Sequence, residues 1–359
     1  MDQSTYHKNL IKEIQTQINP ESGHPDRSIR KFYQALLTCY KPKSPLYFAI
    51  DSAIKSRPSI TPVHLTTLLP RATQYTLRKN GYTDYTNYKI NQWKEIINNL
   101  ISTSPDFSYA INHFNNSATR PARYRTLAAI CAALNQPNGL IIQDWGCSLN
   151  MGLSSLLNQN FYSHEILTPI TDNTPGQLIQ KWLIHDKIKI KQAIGIDIIN
   201  PDIDWIHACE YFVNYDAKNK FFQSTLKHSR KESIPLQFIS ADITSEVLPL
   251  LYPINKLKKQ KNKQIISMSM VLYQLSPKDR LQTFANATQL LNDQDIIITL
   301  DYINNAIRFA QQNIQVDIYI KQDKKLSRPY QWIKWTDATC QEVSPGVDFD
   351  TINQLLNLQ

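Results

Sequence analysis

Through the first third of the chain, apolar residues recur every three to four positions, the spacing of amphipathic helices. Tyr6, Leu10, Ile11, Ile14 and Ile18 share one face of a first helix, and Ile29, Phe32, Tyr33, Leu36, Leu37 and Tyr40 mark a second. Ser44-Pro45 and Thr61-Pro62 each pair a capping hydroxyl with a proline suited to a first turn, so a helix should begin at both. Trp93, Ile96, Ile97, Leu100 and Ile101 predict another helix, and Tyr124, Leu127, Ala128, Cys131 and Leu134 the last of the series. Polar joints at 19–23 and 112–117 separate them.

The pattern changes at Gly139. Short β-branched runs at 140–145, 193–198, 236–240, 265–268, 296–300 and 316–320 read as strands, and helical spacing separates most of them, notably over 279–291. Such alternation predicts a mostly parallel sheet with helices on both faces. The expected architecture is a doubly wound, Rossmann-like α/β domain over residues 138–359, preceded by an all-helical N-terminal cap domain over 1–137. Ligands in such sheets bind outside the carboxyl ends of the strands, where strand order reverses.

Composition narrows the class. Of the 359 residues, 42% are apolar and 10% aromatic, which supports a buried core and argues against global disorder. No apolar run is long enough to cross a bilayer, and Met1-Asp2-Gln3 does not open a signal peptide, so no membrane partner is expected. Cys39, Cys131, Cys147, Cys209 and Cys340 are scattered and odd in number, the pattern of neither a disulfide framework nor a zinc site. A cytoplasmic location without a metal is the reading. The net charge of +9 opens the possibility of a nucleic-acid partner, but much of the excess sits in one run, Lys256 to Lys263, read as a solvated loop.

The chemistry concentrates around Gly139 to Gly152. A buried strand passes through Asp144 into a turn of small residues, Gly146, Ser148, Asn150 and Gly152, and then into helical spacing at Leu153, Leu156 and Leu157. Strand, tight turn and helix let a nucleotide-like ligand approach the backbone closely, since glycine has no Cβ to clash and asparagine tolerates left-handed dihedrals. Asp197 and Asp242 close the next two predicted strands. An acid after the second strand of such a sheet can accept both ribose hydroxyls, and one after the third can accept from an adenine amino group.

Asp144-Trp-Gly146 and the small residues after it resemble the first motif of class I S-adenosylmethionine-dependent methyltransferases, an acid-x-Gly-x-Gly-x-Gly loop. Ser148 and Asn150 stand in place of its second and third glycines. The resemblance implies that the loop backs the methionine part of S-adenosyl-L-methionine, with Asp197 on the ribose and Asp242 on the adenine. It extends the cofactor-binding set to Cys147, Ile198 and Ile243, which flank those positions, and to Ser269 and Met270 further along. The segment from Ile266 to Arg280 is similar to the fourth-strand region of small-molecule methyltransferases, in which Ser-Pro-x-Asp-Arg opens a helix. More narrowly, the chain resembles the bacterial domain-of-unknown-function family 2332. Ser44-Pro-Leu-Tyr47, the turn Gly146 to Gly152, and Gly195-Ile-Asp-Ile-Ile-Asn-Pro201 carry that likeness, the last one residue longer than the family's.

The expected function is therefore S-adenosylmethionine-dependent methyl transfer to a small-molecule acceptor, with the helical cap shaping the acceptor pocket. Two alternatives stay open, a nucleic-acid (RNA) methyltransferase and a methyltransferase-like binding protein that lacks the chemistry. Tyr273 stands where some O-methyltransferases of similar layout keep a catalytic histidine, and an ordinary tyrosine pKa of about 10 makes it a hydrogen-bond donor rather than a base. His113, His164 and His185 lie in loop-like stretches as further candidates. The segment 161–190 is read as a lid, a hairpin at the mouth of the site or a plain insertion, and Arg328 to Trp335 as an exposed-edge strand.

Overall fold

The computed structural model describes all residues except 1, 22, 25, 117–120, 135–136, 149, 158–169, 186–187, 199–202, 210–235, 259, 304–313, 337–339, 341 and 357–359. In chain order, the helices are α1 (Gln3–Ile18), α2 (Arg27–Cys39), α3 (Pro45–Ser56), α4 (Pro62–Lys79), α5 (Ile90–Asn99), α6 (Pro105–His113) and α7 (Arg125–Ala133). There follow β1 (Leu140–Trp145), α8 (Met151–Leu157), α9 (Thr174–His185), β2 (Ile190–Asp197), α10 (Ile203–Cys209), β3 (Leu236–Ser240), α11 (Tyr252–Lys258) and β4 (Gln264–Ser269). The chain ends with α12 (Pro277–Leu290), β5 (Ile296–Tyr302), β6 (Ile314–Gln322), β7 (Lys325–Leu326), β8 (Tyr330–Trp335), β9 (Val343–Pro345) and α13 (Phe349–Leu355). These form two compact units, one of Met1–Ala118, Pro201–Phe222 and Ala306–Gln311, the other of Thr119–Asn200, Gln223–Asn305 and Gln312–Gln359.

Three helices of the helical unit, α3, α4 and α6, start where hydroxyl and proline coincide. Ser44 Oγ accepts from Tyr47 N (3.1 Å) at α3, and Thr61 Oγ1 from His64 N (3.1 Å) at α4. Ser104-Pro105 does the same at α6, with Ser104 Oγ accepting from Phe107 N at 3.3 Å. α4 is central and buried over most of its length, so its polar groups must be satisfied internally. Thr66, Thr73 and Thr76 turn their hydroxyls back onto carbonyls four residues earlier. Pro70 lies inside α4 and has no N–H to offer the carbonyl of Thr66. The Tyr33 hydroxyl, from α2, donates to that oxygen instead at 2.9 Å. α10 completes this core: Trp205 stacks on Phe114 with ring centroids 4.7 Å apart, meets Tyr75 edge-on, and donates from Nε1 to Asn115 O at 2.9 Å.

The second unit is built on a nine-stranded sheet in the order β3-β2-β1-β4-β5-β6-β8-β9, with β7 paired to β6. All six predicted strands form. The expectation of a mostly parallel sheet is corrected: β3 through β5 run parallel, but every pairing from β5 outward is antiparallel. β6 shows why. Ile314, Val316, Ile318 and Ile320 are buried while Gln315, Asp317 and Tyr319 are only partly so, the period-two pattern typical of antiparallel strands rather than of a doubly covered parallel strand. β8 is not an edge strand either, since it lies between β6 and β9 with Trp332, Ile333 and Trp335 buried. The lysine-rich run is not all loop: α11 extends through Lys258 and buries Ile254 and Leu257.

α11 and α12 cover one face of the parallel strands, packing Ile254, Leu257, Ala287 and Leu290 on Ile141, Trp145, Ile194, Ile196, Ile266, Met268 and Ile297. Residue alternation along β1 then turns Asp144 to the opposite face. Strand order reverses between β1 and β4, which places a crevice at their carboxyl ends.

Candidate functional site

β1 delivers Asp144 in register with Ser267 of β4 on one side and Gly195 of β2 on the other. The carboxylate is 1% exposed. Its Oδ2 accepts from the Tyr124 hydroxyl at 2.6 Å, while Oδ1 is buried with no hydrogen-bond partner among the described residues. Burial pushes the group up to about 7; the Tyr124 hydroxyl and Ser267 oppose that shift, and the nearby Asp197 charge adds to it. Tyr124 is itself buried, its phenol held far above the usual range by burial and by the acid it donates to. Its ring lies across Gly152, where any Cβ would overlap it.

Beyond Trp145 the chain turns sharply. Gly146 (φ 77°), Ser148 (φ 54°) and Asn150 (φ 60°) are all left-handed. Gly146 and Cys147 donate to the carbonyl of Ile196 (2.7 and 3.3 Å), tying the turn to the end of β2. Asp197 completes the tie: its Oδ2 accepts from Ser148 N and its Oδ1 from Ile198 N, both at 2.8 Å. Burial raises this carboxyl above its ordinary value, and the two backbone N–H groups pull it back. Asn150 turns its side chain onto Gly195, the Oδ1 occupying the space a Cβ at that residue would need. Cys147 is buried and its thiol is pushed well up by burial and by the Asp144 and Asp197 charges, so it is an inert thiol.

β4 supplies the facing edge. Ser269 ends the strand, and its Oγ is buried without a partner among the described residues. Met270 is left-handed (φ 59°) and donates its N–H to Leu300 O at 2.7 Å. Val271 packs against the bare Cα of Gly146. Asp197 and the 146–150 turn are thus hydrogen-bonded together, and the Asp144 carboxylate, held by Tyr124, lies within reach of the Asp197 charge.

The remaining predicted residues are placed differently. Ile198 is 46% exposed just past β2. Asp242 is exposed beyond β3, its Oδ1 accepting from the N–H (2.8 Å) and hydroxyl (2.7 Å) of Thr244 in a local turn. Ile243 is buried in the apolar cluster under α12. Tyr273 is nearly buried, its N–H donating to Asp301 Oδ2 (3.0 Å) and its ring edge-on to Tyr302. Of the candidate histidines, His113 is the last residue of α6 in the helical unit, and His164 lies outside the described residues. His185 closes α9, a 12-residue helix within the segment 161–190.

Sequence reasoning passed over Tyr124, read only as a helix-face residue, and Asp301. The rule that found Asp197, an acid where a strand run ends, applies equally to Asp301 after the run 296–300. Burial raises Asp301 to about 6, against backbone N–H bonds from Tyr302 and Tyr273.

Together the reversal of strand order, the left-handed turn and the paired acids define a mixed α/β fold with a doubly wound, Rossmann-like parallel half. No family model and no curated protein matches the chain. Among solved structures it is similar to a S-adenosylmethionine-dependent methyltransferase from Clostridium acetobutylicum ATCC 824, at 9% identity and a TM-score of 0.26 over 75% of this chain and 86% of that one. It is likewise similar to the glycopeptide N-methyltransferase MtfA complexed with sinefungin, at 7% identity and a TM-score of 0.26 over 68% and 85%. A TM-score of 0.26 is too low for either neighbour to bear on what this chain does. No helix among the described residues is long and apolar enough to cross a membrane.

Proposed function

We propose that the second unit binds S-adenosyl-L-methionine and that the chain is a methyltransferase acting on a small-molecule acceptor. The observation that carries this reading is the bond from Ser148 N–H to Asp197 Oδ2, which brings the acid after β2 against the left-handed turn after β1. The donor set fits the cofactor. Buried polar groups in native proteins are almost always bonded, yet Asp144 Oδ1, Ser148 Oγ and Ser269 Oγ are buried around this one crevice with no partner among the described residues. Asp197 would take the ribose hydroxyls, Asp242 the adenine amino group, and the 146–150 turn the methionine part. When bound, the cofactor supplies a methyl group on a positively charged sulfur.

The chain's own contribution is placement. Asp301 holds the backbone N–H of Tyr273 just past β4, and the Tyr273 hydroxyl would serve as a hydrogen-bond donor to the acceptor. An amine or thiolate acceptor needs no strong base. The likeness to family 2332, the cytoplasmic location and the small-molecule acceptor belong to this proposal.

Thermal shift tests it. Ligand at a hundred times its dissociation constant adds about 2.7 kcal/mol, so both S-adenosylmethionine and S-adenosylhomocysteine should raise the melting temperature. Asp197→Ala should abolish the shift, and Asp242→Ala should weaken it while leaving the free protein's melting temperature unchanged. Absence of any shift with either ligand refutes the assignment.

A further inference from the structure

Asp144 combines features that a purely structural acid would not need. It is buried on the face of β1 opposite α11 and α12, one of its oxygens has no partner among the described residues, and it lies near a second carboxylate, Asp197. The groups facing it come from four directions: Tyr124 from the turn before α7, Ser267 from β4, Cys147 from the following turn, and Asp197 from the end of β2. Arg123 adds a positive charge near Tyr124. Gly195, its neighbour in register on β2, offers no side chain at all.

A buried anion with one satisfied oxygen and one bare oxygen attracts positive charge, and the low dielectric around it makes that attraction strong. Tyr124 is the side chain that fixes where the anion sits. It donates to Oδ2, leaves Oδ1 bare, and lies with its ring against Gly152, so a single residue spans the turn from its entry at Asp144 to its exit in α8.

We propose that Tyr124 is a positioning residue for Asp144, and that the pair makes this site favour a cationic ligand over its neutral counterpart: the sulfonium donor over the thioether product. The inference rests on the reading of the second unit as an S-adenosylmethionine site. It supplies a physical means of product release, because loss of the methyl group removes the charge that Asp144 attracts. The preference depends on ionised Asp144, so it is present above the pH at which that acid titrates and fades below it.

Calorimetry on the full-length protein tests this, with S-adenosylmethionine and S-adenosylhomocysteine between pH 5.5 and 8. The two ligands share their amino, carboxyl and adenosine groups, so the ratio of their affinities isolates the sulfonium. In the wild type, that ratio should rise about tenfold across the range. Asp144→Asn should hold it flat. Tyr124→Phe keeps the ring over Gly152 but removes the donor that favours the charged acid, so the rise should persist with its midpoint about one pH unit higher. A flat wild-type ratio, a wild-type profile in Asp144→Asn, or an unmoved midpoint in Tyr124→Phe each overturns the inference. Binding of both ligands with a flat ratio refutes this inference alone, whereas binding of neither at any pH refutes the cofactor assignment beneath it.

Discussion

Asp144→Asn should make the protein more stable at neutral and alkaline pH. Asp144 is pushed from 3.8 to about 7 by burial, so in the folded protein its ionised form is disfavoured. The sign follows from proton counting. Between these two values the folded state holds the proton and the unfolded state does not, so unfolding releases a proton and stability falls as pH rises. The stabilising contribution is complete below 3.8 and is lost as pH passes upward through about 7. Three pH units at 1.36 kcal/mol each give a loss of about 4 kcal/mol between pH 4 and pH 8. Asparagine has no proton to lose, and this slope disappears with it.

The substitution also leaves an amide in place of a carboxylate beside Tyr124 and Ser267, a cost of about 1–3 kcal/mol that does not depend on pH. The informative quantity is therefore the change with pH of the difference between variant and wild type. Urea unfolding at pH 5, 6, 7 and 8 measures it, followed by fluorescence of the buried tryptophans, of which Trp145 adjoins Asp144. The variant should gain on the wild type by about 2–3 kcal/mol over this range, most of it below pH 7 and little above. Parallel stability curves would show that Asp144 titrates at an ordinary carboxylate pKa and would refute the reasoning.

Three further outcomes follow from packing. Gly195→Ala places a methyl group where Asn150 Oδ1 and Cys147 Sγ already sit, and should cost about 1–3 kcal/mol in denaturant unfolding. Adding Asn150→Gly should recover most of that loss, so a double-mutant cycle with purely additive terms would contradict the contact. Trp205→Ala removes a fully buried indole stacked on Phe114, and its melting curve should report about 3–5 kcal/mol lost from the helical unit. Tyr33→Phe strips Thr66 O of the donor that Pro70 cannot replace, and about 1–3 kcal/mol should be lost, with faster amide exchange in α4 as its local signature.

Much of the local structure was legible because it depends on neighbours in sequence. Ser44-Pro45 and Thr61-Pro62 cap their helices as read, and the strand runs fall where β-branched residues cluster. Ser104-Pro105 carries the same signature and went unread, an oversight rather than a limit of the sequence. The alternation along β6 was also visible, and it implies a half-covered antiparallel strand rather than a sixth parallel one. What the sequence hides is long-range. Trp205 lies six residues after Ile199 in a stretch whose pattern suits an α/β crossover, yet it joins the core of Tyr75 and Phe114, over ninety residues earlier. The role of Tyr124 requires knowing that Asp144 and Gly152 both face it, which no spacing reveals.

The degenerate glycine turn illustrates how a local rule can be broken where the fold compensates. Left-handed backbone costs an ordinary residue about 1–2 kcal/mol, and Ser148, Asn150 and Met270 all adopt it within the one crevice. At Ser148 the strain is offset by its N–H bond to half-buried Asp197, a charge-assisted contact stronger than a neutral one. At Asn150 it is offset by geometry: where a first-motif glycine would leave space, the asparagine side chain fills it, and the missing Cβ has moved to Gly195 on the adjacent strand. The glycine is relocated rather than lost. Backbone strain of this kind persists only where surrounding structure holds it, and it gathers at functional sites. Three of the eight left-handed non-glycine residues among the described ones lie at the carboxyl ends of β1 and β4, where the strand order reverses and Asp144 Oδ1, Ser148 Oγ and Ser269 Oγ are buried without a partner among the described residues. That coincidence points to a ligand site more strongly than any single residue of the motif.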